Sequence, residues 1–577
     1  MNDTERKDDL REAWQAEWEP ALAAWSRFTQ LSPPRFCTTR SEERDQGLET
    51  SFAMIRLNDQ AVVISLRQVA EQGLQALARP ILAHEIGHHV YAPANLDDDA
   101  RLLARMRHAL PSREGYAGFV ANLYTDLLIN DRLQRSAGLD MAAVYRKLGT
   151  ESSDKLWALY LLVYETLWSL PNNSLVVWPE DSRLRGDAML GARLIRAYAK
   201  DWLAGAGRFA ALWLPYILEM PANQRVPVWQ DTQSAGEGED IPDGLAEIDD
   251  DEIEGAIHPA DDPELSGVEE PANHPKSTTR VKVGGKKNHY RDPHEYVNLM
   301  QALGVKVDPN LLVMKYYREL ALPHLVPFPA RLLRQAADPV PEGLDPWDVG
   351  SPVSRVDWTA TLVASPVVIP GLTTFERVEG TSEGGEPERK PLDLYVGIDC
   401  SGSMGNPAVH VSYPVLAGAV VGLSALRSGA RVMACLSGEP GEFSQTEGFV
   451  RSESEVLRIL TGYHGTGYAF GIERLRAAFL QGPARERPTH ILVVSDSDLF
   501  HMLKEVRDAW DVAAQAIGQA GGGATAVLQM TANEYGKDVA RLEGLGWTVH
   551  RVRTKEDLVV FARAFARARY GGNGVAP

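Results

Sequence analysis

Cysteine is almost missing from this chain: Cys37, Cys400 and Cys435 are the only three in 577 residues. An odd number at such wide spacing excludes a disulfide framework and points to a reducing compartment. Long apolar runs are missing too. No 18 consecutive residues are apolar and no signal-type core opens the sequence, so neither secretion nor a membrane span is expected. The expected location is the cytoplasm. A phosphate-binding loop of the G-x-x-x-x-G-K-[ST] kind is also absent, since Lys286 in Gly284-Gly285-Lys286-Lys287 lacks the spacing. Any ATP-driven step must therefore come from a partner. Internal repeats are lacking as well.

Positive charge is scarce: 59 Lys and Arg against 78 Asp and Glu give a formal charge of −19. That imbalance is local. Residues 231–270 hold 16 acidic and no basic residues, and removing them from the formal charge leaves −3. The stretch to Pro275 is also rich in Gly, Pro and Ser, which describes a disordered tether between folded halves. A short basic patch follows (Lys276, Arg280, Lys282, Lys286, Lys287, Arg291). It is too short, in too acidic a chain, to indicate nucleic-acid binding.

What remains is globular in composition, with 44% hydrophobic and 24% charged residues. A chain this long accommodates about two to four domains. Residues 1–228 are mainly helical with a small β element. Their tryptophans Trp157, Trp168, Trp202 and Trp213 suggest a sizeable core. Residues 229–289 are the acidic linker with its basic end, and 290–388 a helical and extended bridge. From 389 to 577 strands (392–399, 431–436, 489–496, 524–529, 547–552) alternate with helices, which predicts an α/β domain with a parallel central sheet.

The apolar run over 392–398 ends in Asp399, Ser401 and Ser403, followed by Gly402, Gly405, Asn406 and Pro407. A carboxylate and two hydroxyls are thus placed at the carboxyl end of a buried strand, where open α/β sheets bind ligands. Hard oxygen donors with few charges suit Mg2+ or Mn2+ with open coordination positions. This D-x-S-x-S element resembles the metal-ion-dependent adhesion site of von Willebrand factor A (VWA) domains. The resemblance implies a Rossmann-like fold. It also implies two further donors, matched here by Thr466 in Gly465-Thr466-Gly467 and by Asp496 at the end of the strand 489–496. The family's usual Thr-Asp-Gly ending is Ser495-Asp496-Ser497 here, which leaves open whether Asp498 also contributes. Cys400, inside the motif, is read as packing.

A second motif lies upstream. Residues 80–91 contain His84-Glu85-x-x-His88 on a helical pattern running from about Val69 through Leu82. Two imidazoles one turn apart share a face and can bind one Zn2+. Glu85 beside them is placed as the general base toward an attacking water. Ala83 and Gly87 let neighbouring elements come close, and residues 53–57 and 61–66 flank a turn as in a β-hairpin. The pattern resembles zincin metallopeptidases, which take a third ligand from a downstream helix. Asn122, Asp126 and Asn130 recur at four-residue spacing on an otherwise apolar helix, where polar side chains need partners. This resembles the Asn-x-x-x-Asp-x-x-x-Asn helix of metallopeptidase domains found beside VWA-like domains in bacteria. The resemblance assigns Asp126 as third ligand and Asn122 and Asn130 as the residues that orient the ligands, with Glu165 the alternative. His89 points away from the His84/His88 face.

The two halves together resemble bacterial cytosolic proteins that join a zincin-like domain to a VWA domain. That implies an AAA+ ATPase partner of the MoxR type, sometimes alongside a β-propeller protein, and a protein or peptide substrate. The alternative function is a non-catalytic metal-binding adaptor that presents substrates to the ATPase. A metal-chelatase subunit would share the VWA half, but the His84-Glu85-x-x-His88 motif argues against it.

Overall fold

The structure, a computed structural model, describes residues 3–48, 51–57, 59–148, 154–179, 181–220, 232–233, 241–266, 289–333, 339–381, 388–438, 441–467, 471–482, 487–530 and 535–570. The chain divides into two compact units. One comprises Met1–Leu320 with Pro407–Val411, the other Ala321–Asn406 with Ser412–Pro577. Among the described residues no helix is long and apolar enough to cross a membrane.

The first unit is mostly helical around a small sheet. Strands β1 (Arg35–Cys37), β2 (Ala53–Arg56), β3 (Ala61–Ser65) and β4 (Thr232–Gln233) lie in the order β1-β3-β2-β4. β2 and β3 pair antiparallel, Ala53 opposite Ile64 and Arg56 opposite Ala61, as the flanked turn led one to expect. The periodicity over 69–82 is broken in the structure. A short helix ends at Glu71, Gly73 takes φ +71°, and α1 (Ala78–Val90) begins afresh. A left-handed glycine stops a helix without a Cβ clash, and it outweighs apolar spacing. α2 (Leu96–Ala109) starts at an Asn95 cap with Asp97, Asp98 and Asp99 in its first turn, where the helix dipole favours negative charge. α3 (Ala117–Ser136), α4 (Lys155–Leu167) and α5 (Trp202–Glu219) complete the frame. Gly87 permits close packing of α1. A Cβ there would lie 2.5 Å from Ile129 Cγ2 on α3 and 2.6 Å from Trp25 Cζ2.

The acidic stretch needs a correction. Residues 241–266, expected within a disordered linker, carry short elements: Glu247–Ile248 pairs with His289–Tyr290, and Asp250–Glu254 is helical. Leu245, Ala246 and Leu265 are buried. The acids find distant partners. Arg291 Nη2 donates to both Glu252 oxygens at 2.9 Å, and Asp262 accepts from Tyr198 Oη and Arg208 Nε, each at 2.6 Å. Local charge density misleads here because the compensating cations lie 39 and 54 positions away in sequence. Apart from Thr232–Gln233 in β4, the rest of that stretch and the basic patch up to Lys287 lie outside the described residues. The bridge 290–388 is likewise not one segment. Its helices α6 (Pro293–Ala302) and α7 (Pro309–Ala321) fall with the first unit as far as Leu320, and the remainder with the second. In that remainder Pro339–Pro346 pairs antiparallel with Phe375–Thr381, where an extended approach was expected.

The second unit is built on a six-stranded, mostly parallel sheet. Its strands are β5 (Asp393–Asp399), β6 (Val432–Ser437), β7 (Phe443–Gln445), β8 (Thr489–Asp496), β9 (Gly521–Gln529) and β10 (Trp547–Arg551). The order is β7-β6-β5-β8-β9-β10, with only the edge strand β7 antiparallel. β5 and β8 are buried along their whole length, as apolar runs covered on both faces must be. α8 (Tyr413–Arg427) packs on them. β7 was not expected: three residues, largely exposed, carry too little apolar pattern to read as a strand.

Candidate metal centres

In the first unit, α1 and α3 bring His84, His88 and Asp126 together. His84 Nε2 and His88 Nε2 are 3.3 Å apart, and Asp126 Oδ1 lies 3.6 Å and 3.4 Å from them. All three side chains are buried. Each imidazole is fixed from behind. His84 Nδ1 is 2.8 Å from Asn130 Oδ1, and His88 Nδ1 is 3.0 Å from the Ala92 carbonyl. Asn130 Nδ2 donates to the hydroxyls of Tyr145 and Tyr164 at 2.9 and 2.7 Å, which turns its carbonyl oxygen toward His84. Both Nδ1 atoms therefore carry the proton, and both Nε2 lone pairs aim at one point. Facing lone pairs beside a carboxylate oxygen repel unless a cation sits between them. Zn2+ with bonds of about 2.0–2.2 Å in tetrahedral geometry separates its ligand atoms by roughly 3.4 Å, which is the spacing found. The residues fit the ion.

Asp126 Oδ2 is held by Asn122 Nδ2 at 3.0 Å and the Tyr160 hydroxyl at 3.4 Å, so Oδ1 is the oxygen turned to the histidines. Glu165 stands apart from the triad. Its carboxylate accepts the backbone N–H groups of Asn173, Leu175 and Val176 and so anchors that loop. His89 is also outside the triad. Glu85 is buried and lines the same pocket as His84, Asn122, Asp126 and Asn130. The pocket is partly open to solvent, and its other walls are largely apolar: Phe52, Ile81, Leu123, Met141, Val144 and Trp157. Trp157, taken from the sequence as core, is thus part of the site wall. The hydroxyl cluster of Tyr145, Tyr160 and Tyr164, mutually within 3.0 Å, was missed in the sequence. Its only signal there is the four-residue spacing of Tyr160 and Tyr164 on an apolar helix. Burial raises the Tyr160 and Tyr164 hydroxyls well above their ordinary range, so they stay protonated donors.

In the second unit the five expected donors gather at the carboxyl edge of the sheet. Asp399 ends β5, and Asp496 ends the neighbouring β8. Asp399 accepts from the Ser401 amide at 2.8 Å and from Ser495 Oγ at 2.7 Å. Burial nevertheless pushes its carboxyl up to about 6, those hydrogen bonds lowering it and the nearby Asp496 adding to the rise. Ser401 Oγ and Ser403 Oγ are 3.0 Å apart. The Gly465–Thr466 loop is tied on by the Gly402 amide to the Thr466 carbonyl at 2.7 Å and the Gly465 amide to the Cys400 carbonyl at 3.1 Å. Thr466 Oγ1 is buried, with no hydrogen-bond partner among the described residues. Its oxygen is therefore available as a donor to a cation at this edge. Asp498 approaches too, its Oδ2 3.4 Å from Ser403 Oγ, and its amide donates to Asp496 Oδ1 at 2.8 Å. Two carboxylates, three hydroxyls and a third acid in reach fit a small hard cation. Cys400 is buried and its thiol is raised to about 11 by burial, so it offers no thiolate. Ser495, which fixes Asp399, was not singled out in the sequence.

Set against protein-family models, curated proteins and solved structures, the chain matches none.

Proposed function

We propose that the first unit is a zincin-like zinc peptidase, and that the second is a VWA-type domain recruiting an AAA+ ATPase of the MoxR class in the cytoplasm. The observation that carries the reading is the convergence of His84 Nε2, His88 Nε2 and Asp126 Oδ1, with Glu85 lining the same pocket. Zn2+ held there supplies Lewis acidity toward a peptide carbonyl and toward water. Glu85 accepts the proton of the attacking water at a carboxylate oxygen and returns it to the leaving nitrogen. Asn130 and Asn122 keep His84 and Asp126 turned inward. The apolar walls exclude water and hold the substrate chain. At the second site Mg2+ or Mn2+ would rest on Asp399, Ser401, Ser403, Thr466 and Asp496. Hydroxyl donors leave such a cation room for an acidic side chain of a partner.

Metal analysis beside peptidase assays tests the reading. Purified protein should carry zinc that Asp126→Ala loses and Glu85→Gln keeps, while cleavage disappears in both, by about 10²-fold or more. Asp399→Ala should abolish Mg2+-dependent capture of the ATPase and leave zinc unchanged. Wild-type protein without bound zinc would overturn the peptidase. Glu85→Gln behaving as wild type in cells would assign the first unit a non-catalytic role in presenting substrates.

A further inference from the structure

Distinct from the residues of both centres, Asp292, His294 and His410 meet on the surface of the first unit. One nitrogen of each histidine and one carboxylate oxygen lie within 4.8 Å of one another. His294 directs Nδ1 to the Val409 carbonyl at 2.7 Å. A carbonyl only accepts, so Nδ1 carries the proton and Nε2 is left as a lone-pair donor. His410 Nδ1 stands 3.3 Å from Asp292 Oδ2, an acceptor only, so this nitrogen carries the proton that a bound cation would replace; the Val411 amide donates to Asp292 Oδ1 at 3.3 Å. The carboxylate, at the residue that precedes α6, is therefore already fixed toward the histidines. The two imidazoles meet edge to face, with centroids 6.1 Å apart.

Two imidazoles and one carboxylate are a borderline donor set that suits Zn2+ and its neighbours rather than Mg2+ or Ca2+. Tetrahedral ligands around Zn2+ lie roughly 3.4 Å apart, and the three donor atoms here already lie within 4.8 Å of one another. The His410 side chain is 74% exposed, which leaves the fourth position to water. We infer that Asp292, His294 and His410 form a second, surface site for a zinc-class cation, with three protein ligands. Occupancy ties the segment Pro407–Val411 to the start of α6. In sequence that segment follows directly on the loop carrying Ser401 and Ser403.

The test is a titration of metal-depleted full-length protein with Zn2+, in excess Mg2+, and in parallel with Co2+, whose visible bands report nitrogen and oxygen ligation. Wild type is expected to take up about two equivalents and His294→Ala/His410→Ala about one, with a matching loss of Co2+ absorption. A His84→Ala/His88→Ala protein that still takes up one equivalent supports the surface site independently of the proposed peptidase centre. Asp292→Asn should weaken the second equivalent about 10-fold or more, and it serves if the double variant does not fold. The same number of equivalents and the same Co2+ spectrum in wild type and His294→Ala/His410→Ala would overturn the inference.

Discussion

Asn130 shows how much one side chain can set. It faces His84 Nδ1 with its oxygen and two tyrosine hydroxyls with its nitrogen, so it decides which imidazole nitrogen is left for a cation. Asn130→Ala is expected to weaken zinc binding about 10–100-fold in a chelator competition, with the helix intact. Tyr145→Phe, which removes only one of the two hydroxyl contacts, should have a smaller effect in the same assay. Asp99 offers a prediction of another kind. Desolvation of this half-buried carboxyl pushes it up to about 7 from an unfolded value of 3.8, outweighing the favourable first turn of α2. The folded chain therefore binds the proton more tightly than the unfolded chain between those values. The ionised form costs stability above pH 7, and the cost fades as pH falls toward 4. Asp99→Asn should raise the melting temperature at pH 8 and match wild type near pH 4. A constant difference across that range would contradict the assignment.

The two sites depend on close approach of elements, and glycine permits it in each. Gly87→Ala would set a methyl 2.5 Å from Ile129 and 2.6 Å from Trp25. Overpacking of that kind costs about 1–3 kcal/mol. Because α1 and α3 carry all three proposed ligands, zinc content should fall with the melting temperature. Gly438→Ala acts at the other site, where its Cβ would come 2.2 Å from Thr466 Oγ1. Mn2+ binding followed by electron paramagnetic resonance should weaken about 10-fold, with little change in melting. At this scale much was readable from sequence. His84, Glu85 and His88 announce themselves by helical spacing, and Asp126 by recurrence on the next polar stripe. β5 and β8 read as buried strands because both are short apolar runs closed by an acid. The tyrosine hydroxyls were not legible, since a buried tyrosine on an apolar helix looks like packing until its oxygen is placed. Ser495 was hidden for the same reason: its role comes from the strand beside it.

For the whole molecule, the acidic tract is the clearest lesson in what sequence conceals. Hydropathy and charge are local sums, while the partners Arg208 and Arg291 belong to other parts of the chain. Glu252 and Arg291 are both buried, and breaking such a pair leaves an uncompensated charge at a cost of about 3–5 kcal/mol. Arg291→Ala should therefore lower denaturant stability of the first unit and strip hydrogen-exchange protection from 241–266. A disordered tether would show neither effect. The parallel register of the large sheet carries one more consequence. Ile398 stands opposite Val494, which sets Ser495 level with Asp399. A slip of β8 by one residue in one direction would put Asp496 there, two buried carboxylates side by side. A slip in the other would put Val494 there and leave Asp399 without its donor. Either error is penalised before any ligand arrives, so the residues gathered at this edge also proofread the folding of the sheet beneath them.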